Sequence, residues 1–340
     1  MTQPQTDPSS GSSAKHVTFL RRVGATLYFK VLPYTRPDDL CVLIFALTVI
    51  ILFFVAQLPF QWIVFWVFIK PLFYWLALLA SLFVLFLTET HYDIRKSTGR
   101  IVGGATRLLR DFIPYLICLV IYLNLADVVH LVNPNDKDLL LIRIDDALFG
   151  VQLSQWMEQF SSLWLDEWMH FTYEIFGLYP VTLGLFFFGR GQRRAFRDLL
   201  LAIILASYIG YLGYMLVPAV GPRYTLDFRV DLRGRFFAVV EWAMNDTMRI
   251  PRDCFPSLHT ANTLVVLGMA WRYRRKLFWW YLPLGISTVV ATVYLRYHYM
   301  IDVIAGAFLA LAVVKLAPWW NDRWDAWTAR IRRDTPHGQR

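Results

Sequence analysis

The chain has 340 residues, 57% of them hydrophobic and 17% aromatic, with a mean hydropathy of +0.42. That is too apolar for a water-soluble domain, and its long uncharged runs predict an all-α integral membrane protein. The net charge of +9 does not point to nucleic acid, because the basic residues flank the apolar runs and no basic module stands apart.

In chain order, Met1–Ser13 is polar and Ser-rich with no apolar core, so it reads as disordered and not as a cleavable signal peptide. Eight segments are then long enough, or nearly so, to cross a bilayer as helices: about 39–58, 62–88, 112–132, 168–189, 198–217, 258–272, 278–296 and 300–319. Pro71 is expected to kink the second, with Lys70 snorkelling to the interface rather than acting in catalysis. Cys41, Cys118 and Cys254 show neither disulfide nor zinc-type spacing.

Five basic clusters set the orientation. Arg21, Arg22, Lys30 and Arg36 precede the first span, and Arg95, Lys96, Arg100, Arg107 and Arg110 follow the second. Arg190, Arg193, Arg194 and Arg197 lie after the fourth, Arg272, Arg274, Arg275 and Lys276 after the sixth, and Arg330, Arg332 and Arg333 after the eighth. With eight spans every cluster falls on one side, which the positive-inside rule makes cytoplasmic, together with both termini. The location expected is a plasma membrane or a bacterial-type inner membrane.

The opposite side receives the unusual polar residues. An acidic segment, 133–167, is expected to hold an interfacial helix from Leu139 to Phe160. A second segment, 218–257, carries Arg223 and Arg252 and ends in Phe255-Pro256-Ser257-Leu258-His259. The third is the turn Tyr294-Leu295-Arg296-Tyr297-His298-Tyr299-Met300-Ile301-Asp302. Ionisable groups next to lipid are costly, which makes them functional candidates.

On a helix, His298 and Asp302 share one face, so the carboxylate can hold one imidazole nitrogen and leave the other to attack. His259 falls in the first turn of a helix behind Ser257, where backbone N–H groups suit a phosphate. Arg223, Arg252 and Arg296 offer forked donors for phosphate oxygens. Together they form a phosphoryl-transfer constellation that needs no metal or cofactor. Asp127, Glu174 and Tyr173 are expected to pair internally, while His16, His91, His130, His170 and His337 carry no motif. Trp279, Trp280, Trp319 and Trp320 fit an interfacial belt.

Phe255–His259 and Tyr294–Gly306 resemble two motifs of the type 2 phosphatidic acid phosphatase superfamily. The resemblance implies a metal-independent six-helix catalytic core at 112–319. Around it would lie an N-terminal stretch at 1–38, two extra helices and a linker at 39–111, and a cytoplasmic tail at 320–340. His259 then corresponds to the general acid, His298 to the nucleophile that becomes phosphohistidine, Asp302 to its activating carboxylate and Ser257 to a phosphate contact. The sequence departs from the family at Leu216, where a lysine is usual, and at Ala291 and Thr292, where Ser-Arg is usual.

The pattern is most similar to the inositol phosphorylceramide synthase branch, as is Asp145-Asp146-Ala147-Leu148-Phe149-Gly150. That implies transfer of a phosphorylated head group from a lipid-linked phosphate to an alcohol, with hydrolysis of a lipid phosphate as the alternative. Two further classes fit the same residues: a transporter with a His/Asp/Arg relay, and a metalloenzyme ligated by His259, His298 and Asp302.

Overall fold

A computed structural model describes residues 35–57, 99–248 and 251–334. The expected second span with Lys70 and Pro71, most of the N-terminal stretch and residues 335–340 lie outside the described residues. Among the described residues are ten helices of at least twelve residues: α1 (Pro37–Val55), α2 (Gly99–Val132), α3 (Asp138–Phe149), α4 (Leu163–Glu174), α5 (Leu178–Gly189), α6 (Arg193–Leu216), α7 (Phe237–Met248), α8 (Leu258–Tyr273), α9 (Arg275–Tyr294) and α10 (Met300–Asp334). There is no strand among the described residues.

Among the described residues, five helical segments are long and apolar enough to cross a bilayer: Pro37–Val55, Leu163–Gly189, Arg193–Leu216, Arg275–Tyr294 and Met300–Ile331. The second is α4 and α5 run together through a 3₁₀ turn at Ile175–Gly177. Large apolar side chains face outward along these segments, among them Leu47, Phe54, Ile286, Phe308 and Leu311. Water would penalise such a surface, whereas lipid does not. The protein is an all-α integral membrane protein. The apolar part of α2, Asp111–Leu125, and the 16-residue α8 are shorter.

At the centre stands α6, in which every residue from Leu199 to Tyr208 is buried. A helix apolar all round belongs in a core, and α1, α2, α5, α8 and α10 pack against it. α9 covers α8 and leans on α4, whose other side carries α7. The ends of the bundle differ in kind. At the basic end Asp198, fully buried, accepts hydrogen bonds from Arg194 Nε (2.8 Å), Asn321 Nδ2 (2.6 Å) and the Tyr273 hydroxyl, tying α6, α8 and α10 together. Arg197 pairs with Asp325 at 2.9 Å, and Arg36 reaches Asp111 at 2.6 Å.

Several boundaries differ from the sequence reading, with the helix expected from 112 already begun at Gly99, and two of the differences have a visible cause. The helix expected over Leu139–Phe160 ends at Phe149, because Gly150 takes φ +71° and its N–H turns back to Asp146 O. The last helix does not stop at 319 but continues to Asp334, held down by the ion pairs of Asp322 and Asp325 with α6.

Candidate active site

The end opposite the basic one gathers the N-termini of α8 and α10. Ser257 is the N-cap of α8, its Oγ accepting the Thr260 N–H at 3.3 Å. Its own N–H donates to Asp302 O at 3.0 Å, which binds the two helix starts to each other. A Cβ at Gly306 would sit 2.4 Å from Ser257 O, so only glycine lets α10 approach this closely. At the head of α10, Asp302 turns back to accept the Tyr299 N–H at 2.8 Å.

Two acids of α3 then fix this corner from outside. Asp145 accepts the N–H groups of Met300 and Ile301 at 2.7 and 2.9 Å, in the positive field of the α10 N-terminus. Burial pushes its carboxyl above the usual range, against the pull of those two donors. Asp138 takes the N–H groups of Val220 and Gly221 and the Tyr299 hydroxyl. The chain around Arg223 and the turn before α10 are thus registered on α3.

The histidines meet inside this frame. His298 is 3% exposed, with Nδ1 3.5 Å from Asp302 Oδ2; contrary to the shared helix face expected from sequence, it lies in the turn before α10, which begins only at Met300, and that turn brings the ring to the carboxylate. The ring of His259 lies 5.7 Å from that of His298 at 60°, and it packs on Tyr173 at 4.3 Å and Phe176 at 4.0 Å. Both histidines line a cavity of about 370 Å³ that runs down between α2, α4, α5, α6 and α8, with Leu119, Leu123, Pro180 and Leu258 on its walls. Asp253 and Glu174 add carboxylates to the lining, and Asp253 Oδ2 accepts from the Tyr122 hydroxyl at 2.7 Å. Phosphate chemistry at the histidines would therefore adjoin an apolar chamber suited to a lipid chain.

The arginines separate. Arg223 donates to the Tyr297 hydroxyl at 2.5 Å, lies over that ring, which stacks on Tyr173, and stands 3.8 Å from Glu241 Oε1. Arg252 is instead held by Asp136 in a two-point ion pair. Arg296 turns its guanidinium away from the cavity, 3.9 Å above Phe228, donating to Val230 O and 3.7 Å from Glu158. Burial lowers its pKa, and its backbone adopts φ +69°, a left-handed residue at the turn between α9 and α10.

Three residues join the site that the sequence reading left without a role. Cys254 donates its thiol to Asp302 Oδ2 at 2.9 Å, and burial beside that carboxylate pushes the thiol well above its ordinary pKa. Glu241 is fully buried and takes the Tyr297 hydroxyl on one oxygen and His170 Nδ1 on the other. Only one signal was there to find: His170 precedes Glu174 by four residues, as His298 precedes Asp302. Tyr173 stacks on His259 and Glu174 lines the cavity, while the Asp127 side chain lies outside the described residues.

The pattern of the PAP2 superfamily matches residues 139–316, just over half the chain, spanning α3 to α10 and both histidine motifs. The chain belongs to the PAP2 superfamily. It is also 26% identical over 152 residues to a phosphoinositol dihydroceramide synthase of Bacteroides thetaiotaomicron, a match covering 39% of this chain and 48% of that relative. The chain thus spans about half the length of the curated relative it matches. The resemblance to the inositol phosphorylceramide synthase branch, read from the motifs, is supported by this relative. No solved structure matches. As a member of the PAP2 superfamily, the protein is grouped with membrane lipid phosphotransferases and phosphatases.

Proposed function

We propose that this PAP2 protein transfers a phosphoryl or phosphorylated head group between a lipid-linked phosphate and a lipid or polyol alcohol. The observation that carries this reading is the facing pair: His298 held by Asp302 on one nitrogen, His259 across from it, and an apolar chamber below. His298 Nε2 attacks phosphorus, and Asp302 stabilises the imidazolium through Nδ1–H. The bond to the leaving alkoxide breaks as His259, as imidazolium, gives it a proton. An acceptor hydroxyl then loses its proton to His259 and attacks the phosphohistidine, and the phosphorus–nitrogen bond breaks to free His298. Arg223 supplies positive charge to the phosphoryl oxygens, and Ser257 presents the N-terminus of α8 to them. No metal takes part in these steps.

The catalytic core is residues 112–319, with the first two spans outside it. The site opens on the extracytoplasmic side, opposite the Arg-rich connections, and both termini lie in the cytoplasm. Its position at one end of the bundle favours surface chemistry over a transport relay, for which polar groups near the bilayer midplane are expected.

Purified enzyme incubated with phosphatidic acid, prenyl diphosphate, phosphatidylinositol and ceramide, then analysed by mass spectrometry, should yield a new phospholipid. Free phosphate alone would establish the hydrolytic reading, with water as acceptor. Labelled lipid phosphate should leave acid-labile label on wild-type protein and none on His298→Ala, and turnover retained in that variant would refute the mechanism. For sidedness, cysteines at Tyr224 and Arg190, both exposed, should differ: in sealed cells an impermeant maleimide labels only the first.

A further inference from the structure

Beside the proposed nucleophile and its carboxylate lies a thiol that the phosphoryl chemistry does not require. Cys254 Sγ is 2.9 Å from Asp302 Oδ2 and 3.8 Å from His298 Nδ1, and those last two atoms are 3.5 Å apart. All three residues are buried. Sulfur, imidazole nitrogen and carboxylate oxygen bound tetrahedrally to Zn²⁺ at about 2.3, 2.0 and 2.0–2.2 Å stand roughly 3.2–3.6 Å from one another. The sulfur–nitrogen and nitrogen–oxygen edges come within about 0.3 Å of that, while the sulfur–oxygen edge, drawn short by the thiol's hydrogen bond, has to open by roughly 0.6–0.8 Å once the thiol proton leaves.

A second observation points to a cation. Asp302 is 0% exposed, and its Oδ1 has no hydrogen-bond partner among the described residues. A buried carboxylate oxygen left unpaired is costly, and a cation held by both carboxylate oxygens, Oδ1 as well as the Oδ2 that now accepts from Cys254 and the Tyr299 N–H, would satisfy it. The thiol adds selectivity, since Cys with His favours soft or borderline ions over Mg²⁺ and Ca²⁺.

We propose that Cys254, His298 and Asp302 form a binding site for a thiophilic divalent cation, with Zn²⁺ as its type, and that occupying this site switches the enzyme off. The inference rests on the reading of His298 as nucleophile. On binding, the ion takes the Nδ1 lone pair, the Asp302 carboxylate and the Cys254 thiolate, whose proton leaves to solvent. A neutral imidazole metallated at Nδ1 carries its single proton on Nε2. The nitrogen that would attack phosphorus then has no lone pair to offer, and Asp302 no longer supports the ring. Water completes the coordination of the ion.

The test uses metal-stripped, purified full-length protein with Co²⁺ as spectroscopic probe and Zn²⁺ as inhibitor. One Co²⁺ per chain should produce a thiolate-to-cobalt charge-transfer band and the visible bands of tetrahedral cobalt, with about one proton released. Zn²⁺ should lower turnover in step with occupancy, and a chelator should restore it. In Cys254→Ser the charge-transfer band should vanish and the Zn²⁺ inhibition curve should shift at least the 10–100-fold that loss of a mere outer-shell partner costs. If Cys254→Ser does not fold, zinc-edge X-ray absorption on the wild type decides: one sulfur at about 2.3 Å is expected. Absence of that sulfur, absence of the cobalt band, or a band surviving in Cys254→Ser would overturn the site and leave the phosphoryl-transfer reading untouched. Turnover rising with occupancy would overturn the off-switch, and the metal-free reading with it.

Discussion

Three arginines were equivalent as phosphate ligands in sequence, and their partners distinguish them. Arg252 is spent on Asp136 at a part-exposed surface, and such a pair is worth under about 1 kcal/mol. Arg252→Ala should leave kcat/KM within about twofold of wild type. Arg223 is the cation on Tyr297, a residue that lines the cavity with both histidines, and a charged hydrogen bond contributes about 1.5–3 kcal/mol. Arg223→Ala should lower kcat/KM by about 10–100-fold in steady-state assays with micellar lipid. Arg296 answers to a different measurement. Its removal takes the nearby cation from Glu158, which keeps the Arg229 N–H, and leaves Val230 O without its charged donor, at a cost of about 1–3 kcal/mol. Arg296→Ala should therefore show as a lowered unfolding midpoint in detergent rather than as a selective loss of turnover. His259 and His298 needed no such sorting, because their motifs are local and each lies at a helix start.

At the scale of elements, α3 matters more than an interfacial helix would. Its outer face is apolar, with Leu139, Leu140 and Leu148 exposed, as expected for a helix lying against lipid. Its inner face sends Asp138 and Asp145 into the site corner. Asp145 is the acceptor for the first N–H groups of α10, the helix that carries Asp302. Asp145→Ala leaves two buried donors unpaired, at about 1–3 kcal/mol each. It should destabilise the fold and, by loosening the His298–Asp302 turn, lower kcat more than KM. Asp145→Asn keeps an acceptor oxygen and should recover a substantial part of both. Equal losses of kcat in the two variants would contradict a positioning role through these hydrogen bonds.

For the whole molecule, the bundle is pinned at both ends by polar groups, with an apolar body between them. The site end carries the strain of left-handed Arg296 and the buried acids; the basic end carries Asp198 and its three donors. Removing one member of a buried charged network costs about 3–5 kcal/mol. Asp198→Ala should lower the unfolding midpoint markedly, yet at temperatures where the protein stays folded its kcat should remain near wild type. A large change in kcat with an unchanged midpoint would mean that the basic end communicates with the site.

Composition and periodicity were enough to establish an all-α membrane protein, and two short motifs were enough to single out His259, His298 and Asp302. These signals are local: apolar runs follow from the bilayer, and each motif is a contiguous stretch, although His298 meets Asp302 through the turn before α10 and not through helical spacing. The break at Gly150 was legible in principle, since the residue was visible, but its φ was not. What only the tertiary structure decided is which distant acid meets which cation. Asp136 takes Arg252 across 116 residues, Asp145 reaches Met300 across 155, and Glu241 lies under Tyr297 across 56. Such pairings depend on how helices pack and cross, and no spacing in the chain encodes them. Cys254 shows the same limit. It stands five residues before His259, and packing of the turn before α10 brings its thiol to Asp302, 48 residues on.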